Sequence, residues 1–185
     1  MTPSIPATLC DPFEGAHLLS TAPITGIFGA PIPANVRLVA GEIDSAEQQR
    51  FLTVTGRSPL GMAVEANVWE EDWDRLILLL DSPLALCHAA RWLAARLGME
   101  PGATAPGWAQ YPCGEHCCNG ETGEMAACTR PVWSLGTDEG FVLFMDCPNP
   151  EAWDGEECRH VPGISDLTDP AEALAAACVA VGGAS

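Results

Sequence analysis

Six of the nine cysteines fall between Cys113 and Cys158, and His116 and His160 lie in or beside the same stretch. Thiolate and imidazole are the donors zinc prefers, and a cluster of them can hold together a loop-rich segment that buries too little apolar surface to fold alone. Any fold proposed for this chain has to place those side chains. They either converge on a metal or disperse into a core as buried thiols and disulfides, because cysteine is itself among the most buried residue types.

The densest element is Cys113-x3-Cys117-Cys118 with His116 inside it, followed by Cys128, Cys147 and the pair Cys158 and His160. A tetrahedral site would draw on Cys113, Cys117 or His116 and then on Cys128, Cys147, Cys158 or His160. The spacing is looser than paired CxxC knuckles and leaves open which four. Zinc is the expected cofactor, since the cysteine runs typical of ferredoxin iron–sulfur sites are missing. Cys87 and Cys178 lie within apolar helical patterns and read as core residues, while Cys10 sits among prolines. The order His88-Ala89-Ala90, then Pro112-Cys113, resembles in outline the zinc nucleobase deaminases. Their proton-shuttling glutamate is replaced here by Ala90, and Cys113-x3-Cys117 is one residue too long. Both departures strike at the chemistry, so no residue is carried over from that family.

The formal charge is −17, from 25 acidic residues against eight arginines and no lysine. Missing base rather than added acid makes the imbalance, and the arginines are scattered singly. Such a surface repels phosphate, so neither direct nucleic-acid binding nor an anionic membrane is expected. P-loops are excluded without lysine, and GxGxxG, GxSxG and HExxH are absent. The first twenty residues lack the pattern of a secretory signal, and the apolar stretches 76–80 and 173–181 are too short to span a bilayer. The expected location is the cytoplasm, or the virion if the chain is phage-derived.

Six prolines in residues 1–35 predict an extended arm. Val36–Ala40 reads as a short strand. Ser45 with Gln48 gives capping-box spacing for a helix over 45–54. Asn67 and the acidic residues after it predict another over 67–80, although Leu76–Leu80 alone equally fits a buried strand. Ser82-Pro83 and Asp169-Pro170 are cap-and-N1 pairs opening two further helices. Pro131–Leu135 and Gly140–Met145, separated by a Gly-Thr-Asp-Glu turn, predict a hairpin. The expected class is therefore α+β, a helix-rich single domain with a Cys/His-rich, loop-dominated C-terminal module containing a short β-hairpin. Its parts would be the arm (1–35), a helix-rich core (36–110), the Cys/His module (111–162) and a C-terminal helix (163–185), packed as one unit.

A non-enzymatic structural or protein-interaction role follows, such as a virion or other assembly subunit stabilised by a zinc-type site, with a protein partner or self-assembly as the contact. Two alternatives belong to other classes. One is an acidic mimic of nucleic acid, built on Glu70, Glu71, Asp72 and Asp74 or on Glu151, Asp154, Glu156 and Glu157. The other is a zinc-dependent hydrolase or transferase, with Glu115 or Glu121 as the nearest carboxylate.

Overall fold

From Arg37 to Trp69 buried and exposed residues alternate with a period of two, and this pattern outweighs the capping signals embedded in it. The computed structural model describes residues 2–27, 31–46, 48–100, 102, 104–112, 116–118, 125–127, 130–138, 140–146 and 158–183. It divides into two compact units, Met1–Ala85 and Leu86–Ser185.

The first unit is built on six strands: β1 (Ser4–Pro6), β2 (His17–Ser20), β3 (Arg37–Ala46), β4 (Gln49–Arg57), β5 (Ala63–Trp69) and β6 (Leu76–Leu79). Their order is β1-β6-β2-β3-β4-β5, with every neighbouring pair antiparallel. Cross-strand register puts Ala40 opposite Val54, Leu52 opposite Val68, and Val54 opposite Ala66. All of these are at most 2% exposed, so β3, β4 and β5 share one buried apolar face. A register shift between Ala40 and Ile43 bends β3. Gly56 on β4 lies against the start of β3, and a Cβ there would stand 2.6 Å from the Arg37 carbonyl oxygen. A 3₁₀ turn, Glu70–Arg75, carries the chain from the β5 edge back to β6, which lies between β1 and β2.

In the second unit α1 (Pro83–Arg96) begins at the boundary, with the Ser82 hydroxyl accepting the Ala85 amide at 3.2 Å. A four-stranded sheet follows, ordered β12-β11-β10-β7, from β7 (Gly107–Pro112), β10 (Pro131–Thr137), β11 (Gly140–Met145) and β12 (Cys158–His160). β8 (His116–Cys118) and β9 (Met125–Ala127) form a separate two-stranded ladder. On one face of the larger sheet Trp108 stacks on Trp133 at 5.4 Å, and Phe144 meets Trp108 edge-on. Both indole N–H groups are satisfied, Trp108 donating to the Pro170 carbonyl and Trp133 to that of Leu167. Both carbonyls lie at the start of α2 (Pro170–Gly182), whose N-cap Asp169 accepts the Ala171 amide at 2.8 Å. Buried Cys178 on α2 points its sulfur at the Ala89 carbonyl of α1.

The structure corrects the expectation of a helix-rich fold: strands make up 41% of it and helices 24%, with main sheets of six and four strands. The predicted helix over 45–54 is the β3–β4 hairpin instead. Ala46 pairs with Gln49 across a two-residue turn, in which Gln48 adopts a left-handed φ of 68°. The run Phe51-Leu52-Thr53-Val54-Thr55 is β-branched and aromatic, and packing against two neighbouring strands outweighs a local cap. The predicted helix over 67–80 divides into the end of β5, the 3₁₀ turn and β6.

The first 35 residues supply β1 and β2 and bury Ile5, Ala7, Cys10, Leu18, Ile24 and Ile32 to 1% exposure or less. Pro6 closes β1, and the other five prolines stand outside the two strands. Among the described residues no helix is long and apolar enough to cross a membrane. Removal of residues 1–20 strips two strands from beside β6, and is expected to collapse amide hydrogen-exchange protection in β3, β4 and β5 toward solvent rates. Retained protection in the truncated chain would show those strands to be dispensable.

Candidate functional site

Of the seven residues the sequence nominates as metal ligands, Cys113, Cys128 and Cys147 lie outside the described residues, as do Glu115 and Glu121. His116 and Cys117 are described through the backbone of β8, which pairs them with Ala127 and Ala126. Cys158 and His160 share a face of β12, two residues apart, but their surroundings differ. Cys158 packs against the apolar cluster of Val132, Met145 and Leu143. His160 stands at the rim, its Nε2 4.0 Å from Asp146 Oδ1. The other Asp146 oxygen accepts the Gly163 amide at 2.9 Å, which fixes the turn after β12.

Among the described residues no group of three or more His, Cys, Asp and Glu side chains could hold a metal ion, and Cys10, Cys87, Cys158 and Cys178 form no disulfide. The metal-binding, zinc-centred reading is corrected accordingly for this part of the molecule. The reason is local: sheet packing turns Cys158 toward apolar neighbours and leaves His160 a single carboxylate.

A different constellation is assembled in the first unit. The last β4–β5 pair is Phe51 with Trp69, after which β4 continues to its hairpin turn while the other chain winds into the 3₁₀ turn. The divergence opens a cleft of about 280 Å³ lined by Gln48, Gln49, Arg50, Trp69, Glu70 and Glu71. Half-buried Trp69 is braced edge-on by Phe51, with centroids 5.9 Å apart and planes at 88°.

Arg50 holds this corner together. Its Nη1 donates to Glu70 Oε1 at 2.8 Å, its Nη2 donates to Asp11, and its guanidinium lies 5.2 Å from the ring centroid of Trp73. Trp73 is 1% exposed and donates its indole N–H to the Val68 carbonyl at 3.3 Å. The hydrogen bond to Asp11, with the charges of Asp11 and Glu70, outweighs desolvation and raises the Arg50 pKa above its ordinary value. Next to Asp11, burial first and the Asp11 charge second push the Cys10 thiol up to about 12. Cys10 is therefore a protonated core residue with no nucleophilic role at neutral pH.

The sequence identified the acidic run and stopped there. Asp11 lies between β1 and β2 and Arg50 at the start of β4, so the two meet across 39 residues of chain only in the folded unit. No protein-family model, no curated protein and no solved structure matches the chain. The functional reading therefore stands on the geometry alone.

Two outcomes follow. Below about pH 9 both folded and unfolded states keep the Cys10 proton. Between about 9 and 12 only the unfolded thiol ionises, so stability falls as pH rises through that window. Urea denaturation at about pH 8 and about pH 10 should show a larger loss in the parent than in Cys10→Ala. Equal losses would place the titration elsewhere. Arg50→Met should cost about 1 kcal/mol, modest because Arg50 and its two carboxylate partners are 41–53% exposed in their side chains. An unchanged urea midpoint would remove Arg50 as the organiser of this corner.

Proposed function

We propose that the chain is a non-enzymatic protein-interaction component, a subunit of a larger assembly, that receives a segment of a protein partner in the cleft beside Trp69. The observation that supports this most is the cleft itself: a half-buried aromatic side chain beside exposed amide and carboxylate groups on a framework of paired strands. Aromatic anchors within a polar rim are the anatomy of a protein contact. Its volume suits a side chain or a short peptide rather than a dinucleotide or a folded domain.

This reading is preferred to nucleic-acid mimicry because the acidic run is partly neutralised where it stands. Asp72 is 3.0 Å from Arg75, and Glu70 is bound by Arg50. A mimic needs its carboxylates free and repeated along one face, and the second run, Glu151 to Glu157, lies outside the described residues.

Selection of a random peptide library on immobilised protein, counter-selected on Trp69→Ala, tests the proposal. Enrichment of a shared motif on the parent, lost on the variant, is the expected result. To control for folding, Glu71→Arg, which alters only an exposed rim residue, should lose the same motif. Absence of any motif dependent on Trp69 or Glu71 would overturn the proposal.

A further inference from the structure

We infer that the occupant of this cleft is cationic: an arginine or lysine side chain carried on a basic segment of the partner. The inference rests on the cleft being a protein-contact site and adds the chemistry of what enters it.

Charge decides the sign. Among the described residues Arg50 is the one basic residue lining the cleft, and both of its terminal nitrogens are already engaged by carboxylates, Asp11 on one side and Glu70 on the other. An anion would have to displace one of these and would then face Glu70 and Glu71 on a chain of net charge −17. Glu71 is exposed and makes no ion pair with any described residue, so its carboxylate is available to an incoming cation. An apolar occupant fares no better, since five of the six lining residues are charged or amide-bearing and would lose water without a partner.

The aromatic member completes the match. Trp69 offers the best cation-binding ring among the side chains, and its T-shaped contact with Phe51 restricts its reorientation. The protein already uses this chemistry one turn away, where the Arg50 guanidinium lies over Trp73. Gln48 and Gln49 each bring an amide with both donors and acceptors, suited to the backbone of the segment that carries the cation. The left-handed backbone of Gln48 ties these amides to the tight β3–β4 turn rather than to a long loop.

The test is an NMR titration of the full chain with the peptide acetyl-Gly-Arg-Gly-Arg-Gly-amide. Parallel titrations use its lysine analogue, its citrulline analogue, which keeps the shape and removes the charge, and its glutamate analogue. The arginine or lysine peptide should shift the Trp69 indole resonance saturably and bind at least about tenfold more tightly than citrulline, and the affinity should fall as salt is raised. Glu71→Gln should weaken that binding several-fold and Glu71→Arg should abolish it, each with the parent melting temperature. Glu65→Gln, on β5 away from the cleft, should leave it unchanged.

Equal binding of the citrulline peptide, tighter binding of the glutamate peptide, or indifference to Glu71 would overturn the inference. So would saturation of the cleft by magnesium or calcium ions with no response to either basic peptide. Library selection separates the two levels of the argument. A Trp69-dependent motif without arginine or lysine retains the protein-contact role and discards the cation, whereas absence of both motif and peptide binding discards both.

Discussion

The antiparallel pairing of β3, β4 and β5 is the constraint from which the rest of the first unit follows. Its register brings Leu52, Val54, Val68 and Ala66 onto one face, and a slip of one residue would turn that whole set toward solvent. The same register ends at the Phe51–Trp69 pair. Where it ends, the two chains must separate, one into a two-residue turn and the other into the 3₁₀ turn that returns to β6. The cleft is thus the place where a well-specified ladder stops. Downstream of Trp69 the chain is anchored by Trp73 and Leu76, which are buried to 1% or less.

Arg50 converts that opening into a site with a defined charge. A lone arginine on an acidic chain would ordinarily make the cleft attractive to anions. Here it is consumed structurally, linking Asp11 near the chain start to Glu70 at the head of the 3₁₀ turn and covering Trp73. Among the described residues lining the cleft, Glu71, the Trp69 ring and two glutamine amides lie outside this network. Exposed ion pairs contribute little stability individually. The value of this network lies in fixing which charges stay available.

Parts of this were legible in the residues. Ser82-Pro83 and Asp169-Pro170 announced α1 and α2 because a cap is a local device: the donor and acceptor are two or three residues apart and need no tertiary partner. The β10–β11 hairpin was legible for the same reason, two strand-forming runs around a turn. Ser45 with Gln48 carried the same kind of signal and was overruled, since Leu52 and Val54 gain more from the partners that β3 and β5 supply than a capping box offers. The proline-rich start read as an arm because prolines break ladders. Strands of three and four residues still form there, β1 ending on Pro6 itself, and side chains such as Ile5 and Leu18 can be wholly buried from such short segments.

By itself, then, the sequence determined composition-level physics and local chemistry. It set a surface without lysine and far from neutral, the capped ends of two helices, and a stock of thiols and imidazoles crowded into one stretch. The tertiary structure decided which of these groups meet. It turned Cys158 toward Val132 and Met145, left His160 facing Asp146, carried Asp11 to Arg50 across 39 residues of chain, and laid the Arg50 guanidinium over Trp73. Strand pairing brings together residues that are distant in the chain, so which charges are neutralised and which remain available is written in the register of the sheet rather than in any motif.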